Sequence, residues 1–364
     1  MKTLHIIDKL GLGGPQTLLK EIIEKQVESN AIILYVLRET DIIIDIEHPK
    51  VNVYPSNNIF SFKPLKELNN IIEYEKIDVL HCHGYRAKVF GWLLKKRLAS
   101  SVRLVFHEHG DIFRNNKFYN LLLRLSISEV DLNLACSKAT KQQLIKKAHI
   151  PEDKIEVLYN FVDLNRYNRK NSVWDTEEER KKMGVSIDDF IIGFAGRIVG
   201  VKGWKLFIDA AKLLSGNLSN AKFVVAGDGK DKVKLLKLIG SYHLNSDVIY
   251  VGYITDMVWF YSVLNCLVLP SYRESMPLAV IEAQAMGIPV IASNIETLTE
   301  IICDEENGLF FELHNEKELA EKIRLLFEDD NLKRKIISGG LKTVQKYSLN
   351  VYIENLNNIY DGLL

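Results

Sequence analysis

Paired cysteines and long apolar runs are both missing from this chain of 364 residues. Its four cysteines are Cys82, Cys136, Cys266 and Cys303, and no two of them form a C-x-x-C pair. Three of them lie in apolar, strand-like runs, which predicts buried reduced thiols in a cytosolic protein. No apolar run approaches the roughly 20 residues that cross a bilayer. The start, MKTLHIIDKLGLGG, is interrupted by Asp8 and predicts a strand rather than a signal peptide.

Net charge is missing as well, because 47 basic side chains balance 47 acidic ones. A neutral chain has no general attraction for nucleic acid. The balance is not local, since residues 1–170 carry 26 basic and 20 acidic side chains and the remainder carries 21 and 27. This asymmetry can matter for the binding of a surface partner.

Short β-branched runs alternate with amphipathic helical stretches, a pattern typical of parallel sheets with crossover helices. The expected strands are 4–7, 32–36, 51–54, 79–81, 103–106, 132–135, 155–158, 191–195, 223–226, 248–251, 266–269, 290–292 and 309–311. We expect an N-terminal domain (1–165), a polar linker (166–189) and a C-terminal domain (190–346), with a final helix (347–364) packing back on the first domain. Parallel sheets bind ligands beyond the carboxyl ends of their strands, so the loops there are the expected site.

A glycine-rich loop follows the first expected strand. Gly11, Gly13 and Gly14 make a flexible turn, and Pro15 fits the first position of a helix. Glycines let the backbone approach a phosphate or a sugar closely, although a simple structural turn would have the same composition. Gln16 stands where a G-x-G-x-x-G fingerprint needs its last glycine, so a dinucleotide site is not indicated.

Two H-x-H pairs end neighbouring strands. His81 and His83 form one pair and His107 and His109 the other, and each pair can share one strand face. Three interpretations remain open from these residues: the ligands of a metal hydrolase, histidines packed at strand ends, or a histidine that contacts a ligand. His109 is of most interest because a glycine and Asp111 follow it in an expected loop.

Two cations follow the first expected strand of the second half. Arg197, Lys202 and Gly203 lie in the turn before a helix that starts near Trp204. An arginine can grip two oxygens and a lysine adds a mobile point charge, so the pair suits a diphosphate, with a solvated basic loop as the alternative. A second glycine-rich turn at 227–229 is compatible with a nucleotide or with a simple tight turn.

Two glutamates lie eight positions apart in the segment PSYRESMPLAVIEAQAMGIP. A helix is expected to start at Pro277 and to stop at Gly287. The N–H groups of residues 275–278 lack helical partners at the positive end of the helix dipole, which makes an anion site. Glu282 then offers oxygens to two ribose hydroxyls and Glu274 lies beside an attached sugar. Alternatively, Glu274 only complements the dipole and Glu282 is a surface residue.

Together, these stretches resemble the family 4 glycosyltransferases, which are retaining enzymes of the GT-B fold. The likeness runs in order over nearly the whole chain. GLGG resembles that family's glycine loop, VLHCHGYRA and FHEHG its two histidine strand ends, LACSKATKQQL its serine-bearing segment and KIEVLYNFVD its asparagine turn. GRIVGVKG resembles its G-R-x4-K-G phosphate motif, and the two-glutamate segment its E-x7-E motif. The resemblance implies an α/β fold with two Rossmann-like parallel-sheet domains facing each other across a cleft.

The resemblance also implies roles for single residues. Arg197 and Lys202 would neutralise a donor diphosphate, Glu282 would bind the ribose, and Glu274 and His109 would lie by the transferred sugar. The catalytic set implied is His109, Glu274, Arg197 and Lys202. Further donor contacts are implied at Gly13, Gly14, Ser275, Met276, Pro277 and Leu278, and acceptor contacts at Gln16, His83, Tyr85 and Arg86. No metal or other cofactor is implied, because the cations and the helix dipole stabilise the departing diphosphate.

The first half also predicts a basic helix face. Lys88, Trp92 and Lys95 share one side of an expected helix, and a basic face with an aromatic suits docking on anionic lipid, with a merely solvated face as the alternative. We therefore expect a cytoplasmic enzyme, peripheral on the inner face of the cell membrane, for cell-surface polysaccharide or glycolipid synthesis. It would transfer a hexosyl or N-acetylhexosaminyl group from a nucleotide sugar, with UDP favoured, to a glycan or lipid-linked acceptor.

Three other functions stay open from the sequence. A nucleotide-sugar epimerase or hydrolase on the same fold needs no acceptor. A metal hydrolase would use the four paired histidines. A non-catalytic sugar-binding protein or partner subunit would bind ligand without turnover.

Overall fold

The structure is a computed structural model that describes residues 1–9, 14–26, 32–37, 51–53, 63–98, 102–110, 117–218 and 220–364. The chain divides into two units, one made of Met1–Phe161 with Leu349–Leu364 and the other of Val162–Ser348. Each unit holds one sheet in which every paired strand is parallel. Within the described residues, no helix is both long and apolar enough to cross a membrane.

The elements follow the alternation expected from the sequence. The strands are β1 (Thr3–Ile7), β2 (Ile32–Val36), β3 (Val51–Val53), β4 (Val79–His83), β5 (Arg103–Glu108), β6 (Leu132–Ala135), β7 (Ile155–Val157), β8 (Phe190–Ala195), β9 (Ala221–Ala226), β10 (Val248–Gly252), β11 (Cys266–Leu269), β12 (Val290–Ser293) and β13 (Leu309–Phe311). The α-helices are α1 (Gly14–Gln26), α2 (Lys63–Glu75), α3 (Tyr85–Leu98), α4 (Lys117–Leu125), α5 (Lys138–Gln143), α6 (Thr176–Lys182), α7 (Trp204–Leu214), α8 (Lys232–Ser241), α9 (Met257–Val263), α10 (Leu278–Ala285), α11 (Glu316–Glu328), α12 (Asp330–Thr343) and α13 (Leu349–Leu363). The expected strands are thus confirmed.

The sheet of the first unit has the order β3-β2-β1-β4-β5-β6-β7. Strands are added outward in both directions from β1, so the order reverses between β1 and β4. The residues of β1, β2 and β4 are buried throughout, as expected for strands covered on both faces. Loops at the carboxyl ends of β1 and β4 therefore flank the position where such a sheet leaves a crevice.

The second unit repeats this plan with the order β10-β9-β8-β11-β12-β13. Its order reverses between β8 and β11, which are the strands that precede the two-cation turn and the two-glutamate segment. Phe194, Phe207 and Phe223 pack as neighbouring rings with centroids 5.7 Å apart in each contact, and they anchor α7 against β8 and β9. The core thereby brings the two motif-bearing loops to one end of the sheet.

Residues 166–189 differ from the predicted linker, because they fold onto the second unit. The guanidinium of Arg180 on α6 is buried and donates hydrogen bonds to the carbonyl oxygens of Val263 and Ile187 at 2.8 and 2.7 Å. The indole N–H of Trp174 donates to Asp256 at 2.9 Å. A segment rich in charge looks like a linker in the sequence, but these bonds satisfy its polar groups within the fold.

The C-terminal helix α13 belongs to the first unit. The ring of Tyr352 packs on Phe161 with centroids 4.6 Å apart, and the hydroxyl of Tyr360 lies 2.5 Å from Nδ1 of His81. Both tyrosines are buried. Phe161 is thus a core contact for this helix.

The basic face predicted for α3 is wrong. Lys88 is fully buried and forms an ion pair with the equally buried Glu108. Lys95 pairs with Asp131 at 3.0 Å, and the indole of Trp92 donates to Glu129 at 3.0 Å. These side chains face the interior of the unit or its own acids, so they do not form a basic surface for lipid.

Three of the four cysteines are buried free thiols, as expected, whereas Cys303 is an exposed free thiol. Burial raises the pKa of the Cys82 thiol to about 12. These buried thiols are therefore inert packing groups rather than nucleophiles.

Candidate functional site

Two loops meet where the second sheet reverses its order. The backbone N–H of Tyr272, in the loop after β11, donates to the carbonyl oxygen of Val201, in the loop after β8, at 2.9 Å. Gly203 adopts φ +70°, and a Cβ at this position would lie 1.8 Å from the carbonyl oxygen of Pro270. Only glycine permits both the backbone conformation and this approach, so Gly203 sets the spacing of the two loops.

We expect Gly203→Ala to lower the free energy of unfolding by more than about 2 kcal/mol, since it adds backbone strain and an overlap with Pro270. Urea unfolding of the full chain measures this change. Gly216→Ala is the matched control, because Gly216 has φ +77° but no atom within 4 Å of an added Cβ. Equal losses in the two variants would show that the approach to Pro270 contributes nothing.

The glycines after β9 are explained by packing. A Cβ at Gly227 would lie 1.9 Å from the carbonyl oxygen of Gly196, and one at Gly229 would lie 2.5 Å from that of Ile198. The N–H of Ile198 also donates to the carbonyl oxygen of Asp228 at 2.9 Å. The tight-turn interpretation therefore accounts for this loop, which packs against the backbone of the two-cation turn.

The predicted site residues Lys202 and Glu274 lie together. The ammonium of Lys202 donates to both carboxylate oxygens of Glu274, at 2.6 and 2.8 Å. The Glu274 side chain is only 7% exposed, whereas that of Lys202 is 21% exposed. Arg197 is exposed, and its guanidinium has no hydrogen-bond partner among the residues that the structure describes. The turn therefore presents one cation held by an acid and one that is open to a ligand.

Helix α10 begins next to this pair of loops without a side-chain cap. Its N-cap is Pro277, at φ −73° and ψ 121°, and its first helical residue is Leu278. Met276 is buried and Ser275 is half-buried, so the segment is held in place. The N–H of Val280 donates to the carbonyl oxygen of Pro277 at 3.3 Å. Those of Leu278 and Ala279 have no partner among the described residues, which suits an anion. The helix ends at Ala285, close to the predicted stop at Gly287.

Glu282 is buried on α10, so the surface-residue interpretation is wrong. Its Oε2 accepts a hydrogen bond from the hydroxyl of Tyr261 at 2.8 Å, and Tyr167 also donates to it. Burial raises the pKa of the Glu282 carboxyl, while these two hydroxyls and the charge of Arg166 act against the rise. The carboxylate is thus fixed in orientation by partners on α9 and on the segment that precedes α6.

Sequence reasoning missed Tyr167 and Tyr261. Tyr167 falls in the segment predicted to be a linker, and Tyr261 looks like an ordinary apolar position of α9. Nothing in their spacing relates them to Glu282, because the contact depends on the packing of three separate segments. The glutamate itself was singled out by its position in the expected helix and by the family resemblance.

Five histidines, not four, form a buried network in the first unit. His5 on β1 faces His81 on β4, and His83 faces His107 on β5, in the register of the parallel strands. Nitrogen atoms pair at 3.0 Å between His5 and His83, at 3.1 Å between His81 and His107, and at 2.8 Å between His83 and His109. The strand-face prediction for the H-x-H pairs is confirmed, and His5 is an additional member that the sequence did not single out.

The histidine network is uncharged near neutral pH. Burial is the largest cause, and it lowers the pKa of His5 to about 3. Burial and the charge of Lys88 also lower the pKa of His109 to about 3, against an opposing hydrogen bond with Asn160. Neutral imidazoles can donate from one nitrogen and accept at the other, so each pair shares a single proton.

The spacing of these nitrogens decides between the alternatives for the histidines. Two groups, His5 with His81 and His83, and His83 with His107 and His109, bring possible ligand atoms within 4.8 Å of one another. A tetrahedral zinc ion bound at roughly 2.0–2.1 Å would separate two nitrogens by roughly 3.3 Å. The observed pairs at 2.8–3.1 Å fit hydrogen bonds better. The geometry therefore favours packed, hydrogen-bonded histidines, of which only His109 is half-buried rather than buried.

The other first-unit residues that were predicted to contact the donor or the acceptor lie in different parts of that unit. Gly14 is the first residue of α1 and Gln16 is half-buried on it, whereas Gly13 and Asp111 lie outside the described residues. Tyr85 is 43% exposed at the start of α3, and Arg86 lies 4.0 Å from Asp8.

The structure does not support the predicted acceptor contact of His83. Both of its ring nitrogens face other imidazoles and it is only 3% exposed. Its side chain is therefore placed to orient His109 and not to touch an acceptor.

The two Rossmann-like units have parallel sheets. One has an uncapped helix start beside Arg197 and Lys202, and the other has histidines at its strand ends, and this combination defines a GT-B glycosyltransferase. Residues 13–166 match the family described as Glycosyltransferase Family 4, and residues 175–343 match Glycosyl transferases group 1. The chain belongs to the family 4 glycosyltransferases.

Named relatives cover most of the chain. The UDP-Gal:alpha-D-GlcNAc-diphosphoundecaprenol alpha-1,3-galactosyltransferase of Escherichia coli is 27% identical over 318 residues, which are 82% of this chain and 81% of that protein. The N,N'-diacetylbacillosaminyl-diphospho-undecaprenol alpha-1,3-N-acetylgalactosaminyltransferase of Campylobacter jejuni is 26% identical over 85% of this chain and 81% of that protein. HepE of Anabaena in complex with UDP has the same fold, with a TM-score of 0.86 at 20% identity over all of both chains.

Proposed function

We propose that this glycosyltransferase moves a sugar from a UDP-sugar to a lipid-linked or glycan acceptor, with retention of anomeric configuration and without a metal ion. The observation that carries the donor side is the meeting of three features at the reversal point of the second sheet: the Lys202–Glu274 pair, the open Arg197 and the uncapped start of α10. Such a meeting suits a diphosphate attached to a sugar.

Each group has a distinct task in this proposal. Arg197, Lys202 and the first N–H groups of α10 bind the diphosphate oxygens. An ammonium has three N–H donors and Lys202 uses two on Glu274, so the third is free for a phosphate oxygen. Glu274 keeps Lys202 in position and lies beside the transferred sugar, which we propose His109 also contacts.

The proposed reaction breaks the bond between the sugar C1 and the β-phosphate oxygen. The acceptor hydroxyl oxygen bonds to the same face of C1, and its proton passes to the departing phosphate. Negative charge grows on the diphosphate as the bond breaks, and fixed cations stabilise it more in the transition state than in the bound donor. These protein charges supply the role that a metal ion has in other transferases.

The uridine choice and the acceptor class are supported by the relatives. HepE was solved with UDP, and the E. coli relative is named for UDP-Gal. The E. coli and C. jejuni relatives are named for sugars carried on diphosphoundecaprenol. We propose that this chain likewise acts in the synthesis of a cell-surface glycan, at the cytoplasmic face of the membrane.

UDP affinity should rise with pH through the raised pKa of Glu282. The ionised carboxylate accepts hydrogen bonds from ribose hydroxyls better than the protonated group, and burial keeps the proton bound to a higher pH than usual. Binding of UDP therefore favours the ionised form and becomes weaker as the pH falls. Calorimetric titration with UDP from about pH 5 to pH 8 measures this dependence.

Glu282→Gln is the control for this pH dependence. The diphosphate of UDP titrates equally with both proteins, so the difference between their profiles isolates the carboxyl. The variant should bind UDP more weakly and with a flatter profile. Identical profiles would show that Glu282 does not bind the ribose in its ionised form.

The overall proposal is tested by ligand screening followed by product analysis. Thermal shifts with UDP, GDP and their sugars identify the donor, and a larger shift with GDP would reject the uridine choice. NMR of the product formed from lipid-linked acceptors then gives the linkage and its anomeric configuration. Donor conversion without an acceptor would favour the epimerase or hydrolase, and donor binding without turnover would favour a non-catalytic protein. Activity lost on chelation would reject metal independence.

A further inference from the structure

Helix α4 presents apolar side chains on the face that would normally be polar. Phe118, Leu121 and Leu125 are 76%, 51% and 54% exposed. Their spacing of three and four residues places them in one row along the helix, which we call the α4 stripe. Tyr119 and Leu123 on the other side are buried in the core. The stripe is thus additional to the face that holds α4 on its unit.

Basic side chains lie in the same region as the α4 stripe. Arg124 is exposed on α4 and donates from Nη2 to the carbonyl oxygen of Lys147 at 3.1 Å. Lys146 and Lys147 are exposed on the π-helical turn Leu144–Ala148, which packs against α4. The sequence of α4, KFYNLLLRL, contains no acidic residue. Three exposed cations therefore lie on α4 and on the turn that packs against it.

We propose that the α4 stripe docks this enzyme on an anionic lipid surface. The three apolar side chains would enter the boundary between headgroups and acyl chains, while Arg124, Lys146 and Lys147 would contact anionic headgroups. This inference extends the proposed function, because an enzyme whose acceptor is lipid-linked has to work at a membrane. It moves the docking surface from α3, where Lys88 and Lys95 are paired internally, to α4.

Charge and size both favour lipid over a second copy of the chain. A symmetric dimer through this face would set the same three cations of each copy against those of the other. Three apolar side chains also fall far short of the roughly 20–30 residues that each partner contributes to a stable protein interface. An anionic membrane removes the repulsion and needs only a small apolar insertion.

Flotation with vesicles tests the proposal, using vesicles of phosphatidylcholine alone or mixed with phosphatidylglycerol. The full chain should float with the anionic vesicles at low salt and not with the neutral ones. Phe118→Ser/Leu121→Ser/Leu125→Ser should reduce the bound fraction at least about tenfold. Lys146→Glu/Lys147→Glu should weaken binding about tenfold at low salt, with a smaller difference at high salt.

Helix α8 offers a matched control. Val233 and Leu236 are 63% and 44% exposed three positions apart, beside the exposed Lys234 and Lys237, but without an aromatic side chain. Val233→Ser/Leu236→Ser should leave flotation unchanged. Each variant should keep the thermal shift given by UDP, so a loss of vesicle binding is separate from any failure of the donor site.

Several outcomes would overturn the proposal. These are a wild-type chain that does not float with anionic vesicles, a stripe variant that floats as well as the wild type, or a loss confined to the α8 variant. Sedimentation measures the oligomeric state and so tests the remaining alternative. A wild-type dimer that becomes monomeric in the stripe variant, with no vesicle binding by either protein, would assign the stripe to self-association. A failed UDP shift with intact flotation would reject the donor proposal alone.

Discussion

Lys202→Ala should lower kcat/KM for sugar transfer by about 100-fold to 1,000-fold, which is the usual loss when one fixed charge-stabilising group is removed from a reaction centre. The variant loses a cation from the diphosphate site. It also leaves the carboxylate of Glu274, whose side chain is 7% exposed, without its counter-charge beside the incoming donor. The remaining negative charge would repel the departing diphosphate. Arg197→Ala should add a further loss in the double variant.

A double-mutant cycle separates these effects. Because Lys202 and Glu274 act as one ion pair, Lys202→Ala/Glu274→Ala should lose much less than the product of the two single losses. Lys205→Ala is the matched control, since Lys205 lies three residues away and pairs with Asp209 at 2.6 Å on the exposed side of α7. Normal turnover in Lys202→Ala, or equal damage in Lys205→Ala, would remove the basis of the donor site.

Lys88→Met should destabilise the first unit by about 3–5 kcal/mol, because it leaves the buried carboxylate of Glu108 without a cation. The Lys88 ammonium also donates to the hydroxyl of Tyr119 at 2.7 Å, and that hydroxyl donates to Glu108 at 2.5 Å. Burial lowers the pKa of Lys88, while the charge of Glu108 opposes this effect. Glu108 Oε1 accepts hydrogen bonds from both Lys88 and Tyr119 inside the core, while its Oε2 has no hydrogen-bond partner among the described residues. Urea unfolding followed by circular dichroism measures the loss.

Two further variants make this stability test decisive. Lys88→Met/Glu108→Gln removes both charges and should recover most of the stability, because no unpaired ion remains. Lys95→Met breaks the more exposed pair with Asp131 and should cost only about 1 kcal/mol or less. A Lys88→Met protein as stable as the wild type, or a double variant no better than the single one, would contradict the buried-pair account.

The strands and the loops that follow them could be predicted because they depend on local pattern. The runs at 132–135, 266–269 and 309–311 appear as strands with the expected bounds. β4 extends two residues beyond its predicted end, to His83, because a buried histidine looks like the polar end of a strand in the sequence. Polar residues satisfied inside a sheet carry no local sign that they are buried.

The two positions that were wrongly predicted to be exposed share this cause. Arg180 was assigned to a linker and Lys88 to a basic helix face that docks on lipid, and both are buried. Their partners are distant along the chain: Arg180 donates to the carbonyl oxygen of Val263, 83 residues away, and Lys88 to Glu108, 20 residues away. Charge predicts exposure only on average, because a partner supplied by the fold reverses it.

The sequence by itself determined the two parallel-sheet units, the loops that carry the motifs, and the two glutamates, of which Glu274 precedes α10 and Glu282 lies on it. Hydrophobic periodicity and glycine placement act over a few residues, and a linear pattern records them fully. Only the tertiary structure decided that Lys202 pairs with Glu274, that Tyr167 and Tyr261 hold Glu282, and that exposed cations lie on α4 and on the turn that packs against it. These contacts join residues from separate elements, and they exist only because strand order and helix packing bring those elements together.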